Sequence, residues 1–233
     1  MRDCNDIVSC MAQAPLFSGL TDRDLTTLAS ELIVRIKVYN ADEIVCHECS
    51  PANHIVSVLS GRLYVYQCGL GDADRHLVCT LCVGEIYGVT YPVLNFKSNP
   101  GMVVAAEETH AIVCDVARVQ QLIQSARCPL FTVNLYAAAA RQGFNAWRKV
   151  ALLGCYRIAD RVLLHLQRRC EEGDFSAVNV AELAAYLGVS RTAFYHAVAK
   201  LQKAGRVAVV GGKVSLSSVG VGIRGITDKE KFS

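Results

Sequence analysis

The sequence from Asn179 to Leu201, NVAELAAYLGVSRTAFYHAVAKL, predicts a helix, a tight turn and a second helix. Asn179 is a favourable N-cap for the first helix, and Glu182 three positions later completes a pattern close to a capping box. Gly188 can adopt the open backbone conformation that a short inter-helix turn requires. The apolar inner faces of the two helices comprise Leu183, Ala184, Leu187, Phe194, Ala197 and Leu201.

The outer face of the second helix is polar and basic. Ser190 is the predicted N-cap, and the residues that follow on this face are Arg191, Thr192, Tyr195, His196 and Lys200. The pattern is typical of a helix-turn-helix, in which the second helix enters the major groove of DNA. The alternative is an ordinary helical hairpin with a solvated basic face, but the spacing, the caps and the side-chain chemistry favour DNA binding.

The composition indicates a globular chain with apolar cores. With 233 residues, of which 52% are hydrophobic, the chain is long enough for one or two domains. It has no apolar run of about 18 residues, the length that predicts a membrane-spanning helix. The first residues, MRDCNDIVSC, do not resemble a signal peptide, and 11 scattered cysteines fit a reduced interior. We therefore expect a cytoplasmic protein without membrane contacts.

The charge is distributed unevenly along the chain. From Cys155 onward there are 12 Lys and Arg against 7 Asp and Glu, a net charge of +5, whereas residues 1–154 carry −2. The basic surplus therefore lies with the helix-turn-helix, as binding to a phosphate backbone requires.

The first 130 residues change character after a helical start. Residues 1–32 predict short helices, with Thr21 as an N-cap. From Val34 to Val116, short β-rich runs alternate with turn residues, which predicts a barrel, sandwich or jelly roll. Residues 118–127 predict a short connecting helix.

The segment after Pro129 predicts a long helix with a heptad seam. Apolar residues spaced alternately by three and four form this seam: Leu130, Val133, Ala137, Ala140, Phe144, Trp147, Ala151 and Gly154. The seam suits a two-stranded coiled coil between two copies of the chain, with Trp147, the only tryptophan, as a large anchor. The alternative is a helix that packs on its own domain.

The helix-turn-helix is flanked by a further helix and a hairpin. A helix is predicted from about Ile158 to Arg169. After the second helix, RVAVV and KVSL surround Gly211 and Gly212, a two-residue hairpin signature. A hairpin in this position is the wing of a winged helix. The Gly-rich, charged tail is expected to be loosely ordered.

Five segments in this order resemble the cyclic-AMP receptor protein/FNR family of bacterial transcription regulators. They are PLFSGLTDRDL (15–25), DEIVCHECSPANHIVSVLSGRLYVY (42–66), VGEIYG (83–88), VAAEET (104–109) and GVSRTAFYHAVAKLQKAGRVAVVGGKVSL (188–216). The resemblance implies an α+β fold: a cyclic-nucleotide-binding-type β-roll or jelly roll (1–127), a dimerisation helix (128–154) and a winged helix-turn-helix (155–233). It also implies a homodimer that binds a palindromic double-stranded DNA site and has RNA polymerase as a partner.

The effector-binding cassette departs from the family pattern. Cyclic-nucleotide binders of the family carry a glutamate for the ribose and an arginine for the phosphate, where this chain has Val89 and, near the second position, Asn99. Lys97 is the only base nearby, so we expect no binding of cyclic AMP in the usual mode. The predicted pocket comprises Gly84, Glu85, Tyr87, Gly88, Val89 and Val103, and with Tyr91 beside it the residue content favours an apolar or aromatic ligand of unknown identity.

The recognition helix also departs from the family pattern. Family members that read the common half-sites carry Arg, Glu and a second Arg at positions that match Arg191, Thr192 and His196 here. Arg191 can still contact a guanine in bidentate fashion, whereas Thr192 lacks an acceptor for the amino group of cytosine. We therefore expect half-sites about one helical turn apart, with a sequence other than the family's best-known one.

Two CxxC pairs, Cys46 with Cys49 and Cys79 with Cys82, leave a sensory role open. Four thiolates could build a zinc or iron–sulfur site, but the second pair lies in a predicted strand, where residues three apart point to opposite faces. Small apolar core residues are the favoured interpretation, and no metal ligand is assigned. Haem ligation by His47, His54, His76 or His110 is an alternative in principle only.

Enzymatic function is not predicted. The sequence contains no GxSxG, P-loop or HExxH motif, and Gly69 to Asp72 reads as a hairpin turn. Two other functions remain alternatives: a module that only mediates protein contacts, and a constitutive regulator whose pocket is degenerate.

Overall fold

The computed structural model describes residues 4–68 and 75–217. The chain divides into two compact units, Met1–Ala146 and Trp147–Ser233. The predicted turn at Gly69 to Asp72 and the predicted loosely ordered tail lie outside the described residues. No helix among the described residues combines the length and the apolar character needed to cross a membrane.

The N-terminal unit begins with helices α1 (Cys4–Gln13) and α2 (Asp22–Glu31), separated by a 3-10 turn (Pro15–Phe17). Thr21 caps α2 as predicted: its hydroxyl accepts from the Asp24 backbone N–H at 3.2 Å, and the Asp24 carboxylate accepts in return from the Thr21 N–H. This reciprocal pair completes a capping box.

Eight strands follow and form the predicted β-roll. They are β1 (Arg35–Tyr39), β2 (Ile44–Cys46), β3 (His54–Ser60), β4 (Leu63–Cys68), β5 (Arg75–Leu81), β6 (Ile86–Tyr87), β7 (Met102–Ala105) and β8 (Thr109–Asp115). They pair in two antiparallel four-stranded sheets, with the orders β1-β8-β3-β6 and β2-β7-β4-β5. Buried side chains from both sheets and from the helices, such as Phe17, Ile55, Val103 and Phe131, form one continuous core.

Three more helices follow β6 in the chain, the first before β7 and the other two after β8. They are α3 (Tyr91–Leu94), α4 (Val116–Ser125) and the 25-residue α5 (Pro129–Leu153), which crosses from the first unit into the second. Helix α4 begins two residues before the predicted start, because the Asp115 carboxylate accepts a hydrogen bond from the Arg118 N–H at 3.0 Å and caps it there.

The C-terminal unit contains α6 (Ile158–Glu171), β9 (Val178–Asn179), α7 (Val180–Tyr186), α8 (Arg191–Lys203), β10 (Val207–Val210) and β11 (Lys213–Leu216). Strands β10, β11 and β9 form a small antiparallel sheet. Its core joins the helices to the sheet through buried residues such as Val162, Leu183, Phe194, Val207 and Val214. The predicted α+β fold, with a jelly roll, a long helix and a winged helix-turn-helix, is confirmed.

Candidate functional site

The second helix of the helix-turn-helix, α8, is fixed by its caps and its buried face. The Ser190 hydroxyl accepts from the Ala193 N–H at 3.3 Å, and Gly188 has a φ of +63° in the preceding turn. Phe194, Val198 and Leu201 are buried in the core of the C-terminal unit. Ala197, the third residue predicted for this face with Phe194 and Leu201, is half-buried, and Val198 is buried beside it, because positions i, i+3, i+4 and i+7 share one helical face.

The opposite face of α8 is open. All six predicted DNA-binding residues are exposed on it or at its start: Ser190, Arg191, Thr192, Tyr195, His196 and Lys200. They bring together a guanidinium, an ammonium, three hydroxyls and an imidazole on a helix that can fit the major groove. Arginine can contact guanine with two parallel hydrogen bonds, and lysine can neutralise a phosphate.

The hairpin after α8 extends the basic surface beyond the predicted residues. Gly211 and Gly212 have φ values of +56° and +74°, which a two-residue hairpin of this type requires. The Val180 N–H donates to the Gly212 carbonyl at 2.9 Å, and β11 pairs with β9, so the hairpin is held against the start of α7. Exposed basic residues follow from α8 into the hairpin: Lys203, Arg206 and Lys213. Their proximity in sequence to the Gly-Gly turn was the signal that could have identified them.

A compact cluster joins the C-terminal end of α5 to α6 and α7 within the second unit. The His165 ring lies 5.4 Å from the Tyr186 ring, and the Lys149 ammonium lies 4.3 Å from the centre of that same ring. Arg168 donates to the Arg148 carbonyl at 3.0 Å, and Arg148 pairs with Glu172.

The same cluster keeps His165 neutral near pH 7. Burial lowers the pKa of His165 to about 4, and the positive charges of Arg169, Arg148 and Arg168 contribute in the same direction. These contacts fix the end of the long helix to the helix-turn-helix.

The predicted heptad seam lies on an exposed side of α5. Val133, Ala137, Ala140, Phe144 and Trp147 are exposed, and Ala151 is half-buried. The exposed fraction is 60% for Val133, 57% for Phe144 and 61% for Trp147. Tyr136 and Val150 are also exposed and apolar, although they lie outside the predicted seam. Phe131 and Leu135, by contrast, are buried in the core of the N-terminal unit.

The residues of the predicted effector pocket divide into two groups. Tyr87, Gly88, Val89 and Val103 are buried in the roll. Gly84 and Glu85 are half-buried in the turn before β6, where the Glu85 carboxylate accepts from the Cys82 N–H at 2.7 Å. Glu85 therefore stabilises a turn.

Two positions of the roll lack the groups that hold a cyclic nucleotide in the family pattern. Val89 is 1% exposed and offers no polar group for a ribose hydroxyl. Asn99, near the predicted phosphate position, is 5% exposed, and its side chain bonds to Tyr91, Ser50 and Pro51. Neither position supplies the charge-assisted hydrogen bonds that hold an anionic phosphate.

The two CxxC pairs do not converge on one site. Strands β2 and β5 are the outer strands of their sheet, about 14 Å apart, since neighbouring strands lie about 4.8 Å apart. Cys46 and Cys79 pack against the core, whereas Cys49 and Cys82 are exposed. Within residues 4–68 and 75–217, no group of three or more His, Cys, Asp or Glu side chains is placed to hold a metal.

Buried thiols in the roll are poor nucleophiles. Burial raises the pKa of Cys46, and it raises that of Cys114 to about 12. Both side chains therefore remain protonated, and the thiolate is the reactive form of cysteine. Cys114 matches its predicted role as a small apolar core residue, Cys155 is half-buried, and the side chain of Cys68 lies outside the described residues.

No protein-family model matches the sequence, and no curated protein matches it. Solved structures do match. FixK2 from Bradyrhizobium japonicum has 19% identity and a TM-score of 0.64 over 79% of this chain and 93% of its own. The c-di-GMP-responsive global regulator CLP of Xanthomonas campestris has 21% identity and a TM-score of 0.63 over 82% and 97%. A CooA mutant from Carboxydothermus hydrogenoformans has 17% identity and a TM-score of 0.67 over 82% and 85%. The chain thus has the fold of cyclic-AMP receptor protein/FNR-type regulators, as its sequence motifs indicated.

Proposed function

We propose that the protein is a dimeric, sequence-specific DNA-binding regulator of transcription. The observation that carries this proposal is the geometry of α8. One face is anchored in the core by Phe194, Val198 and Leu201, and the opposite face presents Arg191 and its neighbours to solvent. The likeness in fold to FixK2, CLP and CooA and the basic surplus from Cys155 onward support it.

Side-chain chemistry suggests which residues of the basic surface contact bases and which contact phosphates. Arg191, in the first turn of α8, is placed to read a guanine edge, while Lys200 near the end of the helix is suited to a phosphate. Lys203, Arg206 and Lys213 add positive charge for the backbone. Thr192 and His196 would set the remaining base preferences of each half-site.

The exposed seam of α5 supports a homodimer. Val133, Phe144 and Trp147 present large apolar surfaces to solvent on a 25-residue helix. Burying such a seam against a second copy is favourable, and the small Ala137 and Ala140 would let the two helices approach closely. A dimer presents two recognition helices, so we propose a palindromic site with half-sites about one helical turn apart. RNA polymerase remains a proposed partner on the strength of the family resemblance alone.

The proposed function is tested by DNA binding. Sites are first selected from random double-stranded DNA, and the affinity for the selected site is then measured over a range of salt concentrations. Several phosphate contacts predict that the affinity falls steeply as the salt concentration rises. Selection of no preferred sequence would contradict specific recognition, and an affinity that does not depend on salt would contradict the assigned basic surface.

We expect Arg191→Ala to weaken binding to the selected site by about 1–3 kcal/mol and to relax the preference at one guanine position. The loss of a bidentate contact to one base is the physical reason. Lys200→Ala is the matched control: it should weaken all sequences alike and reduce the steepness of the salt dependence. If Arg191→Ala also weakens all sequences alike, Arg191 contacts only phosphate.

We expect Trp147→Ala to raise the dissociation constant of the dimer about 30-fold, equivalent to about 2 kcal/mol, because a buried aromatic anchor is lost. Sedimentation velocity over a range of protein concentrations measures this change. Asn145→Ala alters an exposed residue of the same helix outside the seam and should leave the dimer intact. An unchanged dissociation constant in Trp147→Ala would place the interface elsewhere.

A further inference from the structure

The polar side chains on the outer face of α8 are open to a ligand. In the part of the chain that the structure describes, five of them take part in no hydrogen bond or ion pair: Arg191, Thr192, Tyr195, His196 and Lys200. In α6, by contrast, Arg161 donates to the Cys155 carbonyl at 2.8 Å. Arg169 of the same helix pairs with Asp174. The protein therefore holds the groups of the outer face of α8 in place without using them itself.

Thr192, the second residue of α8, is exposed and differs from the threonines of α2. The hydroxyls of Thr26 and Thr27 donate to the carbonyls four residues earlier, at 2.8 and 2.9 Å. The residue four positions before Thr192 is Gly188, which lies ahead of the helix with a φ of +63°, so the same internal bond does not form. The hydroxyl and the methyl group of Thr192 therefore both remain for an external partner.

Thr192 also points directly away from the core. Since successive residues of an α-helix are about 100° apart around its axis, Thr192 lies about 160° from Phe194 and about 180° from Leu201. Phe194 and Leu201 are both buried. A base that contacts the outer face of α8 in its first turn therefore meets Thr192 at the centre of that face.

The side chains of α8 restrict which bases this face can read. The helix, RTAFYHAVAKLQK, contains no Asp, Glu or Asn, and its only amide, Gln202, lies in the last turn. Cytosine is read by a carboxylate that accepts from its amino group, and adenine by an amide with two hydrogen bonds. Thymine presents a carbonyl acceptor, O4, next to a methyl group, and threonine combines a hydroxyl donor with a methyl group. Thymine is thus the base that Thr192 matches.

We propose that Thr192 reads the 5-methyl group of one thymine in each half-site. This inference rests on the proposed function, because it names a base that α8 selects. The Thr192 methyl group packs against the thymine methyl and excludes water from both, and the hydroxyl can donate to the adjacent O4. Because Arg191 is the preceding residue, this thymine lies close to the guanine that Arg191 contacts.

The first test removes only the thymine methyl. In the site selected by the full-length protein, each thymine is replaced in turn by deoxyuridine, which lacks the methyl group and still pairs with adenine. We expect one thymine in each half-site at which the replacement weakens binding about 4-fold, the effect of one buried methyl group. Equal affinities for thymine and deoxyuridine at every position would overturn the inference and leave sequence-specific binding intact. Selection of no preferred sequence would instead contradict the proposed function itself.

The second test assigns the contact to Thr192 with a double-mutant cycle. Thr192→Ser keeps the hydroxyl and removes the methyl group, so this variant should bind the thymine and deoxyuridine sites with equal affinity. Thr192→Val keeps a methyl group at the same place, removes the hydroxyl and should retain the difference of about 4-fold. Each variant is judged by the ratio of its two affinities, so a general effect of the substitution on α8 cancels.

Tyr195→Ala, at the other exposed side chain of α8 with a large apolar surface, is the control and should also retain the difference. A Thr192→Ser variant that distinguishes the two sites as strongly as the wild type would overturn the inference. So would a difference that disappears in Tyr195→Ala and persists in Thr192→Ser, because the methyl contact would then belong to Tyr195.

Discussion

Phe194→Ala is expected to lower the free energy of unfolding of the C-terminal unit by about 3–5 kcal/mol. Phe194 is fully buried and is among the largest buried side chains of the protein. Its removal leaves a cavity between α8 and the rest of the core, which includes Leu183, Val207 and Val214. Because a unit of this size has only modest total stability, the variant should lose DNA binding through unfolding. Denaturant unfolding followed by circular dichroism measures the loss.

The neighbouring residue provides the control for Phe194. Tyr195 follows it on the same helix but is 55% exposed. Tyr195→Ala should therefore change the free energy of unfolding by no more than about 0.5 kcal/mol. If the two variants lose equal stability, α8 is not anchored through Phe194, and the assignment of its outer face to DNA would fail with it.

Gly61→Ala is expected to lower the free energy of unfolding of the N-terminal unit by about 2–5 kcal/mol. Gly61 has a φ of +80°, and a Cβ there would overlap the Glu108 carbonyl oxygen and lie 2.5 Å from Thr109 Oγ1. Thr109 cannot move away easily, since it is fully buried and its hydroxyl accepts from the Arg62 N–H at 3.1 Å. The Arg62–Glu107 ion pair, at 3.0 Å, joins the same two turns, which connect β3 to β4 and β7 to β8.

The loss expected for Gly61→Ala has two causes: backbone strain at a positive φ and steric overlap of the new Cβ. A substitution at Gly173 measures the first cause without the second. Its φ of +81° is nearly equal to that of Gly61, but a Cβ there would meet nothing within 4 Å. Gly173→Ala should therefore cost only the backbone strain of about 1–2 kcal/mol. Calorimetry on the full-length variants measures the loss of unfolding free energy in each case. If the loss in Gly61→Ala is no larger than that in Gly173→Ala, the turn at Glu108 shifts to accommodate the new Cβ.

Much of the candidate DNA-binding surface could be predicted because it depends on short-range signals. Asn179 and Ser190 act as caps as predicted, with the Asn179 side chain accepting from the Ala181 N–H at 2.8 Å. Gly188 adopts the left-handed conformation, and the Gly-Gly hairpin forms between β10 and β11. In each case the residue and the group that it satisfies lie within a few positions of each other. Ala197, predicted for the inner face, is half-buried, whereas its neighbour Val198, which was not assigned to that face, is fully buried.

The interior of the roll could be predicted only in part. Tyr87 and Val89, which were predicted to line an effector pocket, are buried. The same sequence contained no sign that Asn99 bonds to Ser50, because a polar residue in a loop is ordinarily solvated. The distance between the two CxxC motifs in the folded protein also could not be read from the sequence. Cys46 and Cys79 lie in one transverse row of the sheet, with Val103 and Val65 between them, and strand order alone decides that distance.

The sequence by itself determined the local elements of this protein: caps, turns, the alternation of the strands and the heptad seam of α5. These follow from backbone sterics and from apolar periodicity, which act over a few residues. Only the tertiary structure decided what fills the roll. Tyr91, Asn99 and Ser50 meet across separations of 8 and 49 residues, and their hydrogen bonds depend on packing that brings α3 and the loop after β2 together. Whether a buried amide is satisfied by a ligand or by a tyrosine of the same chain is a property of that packing.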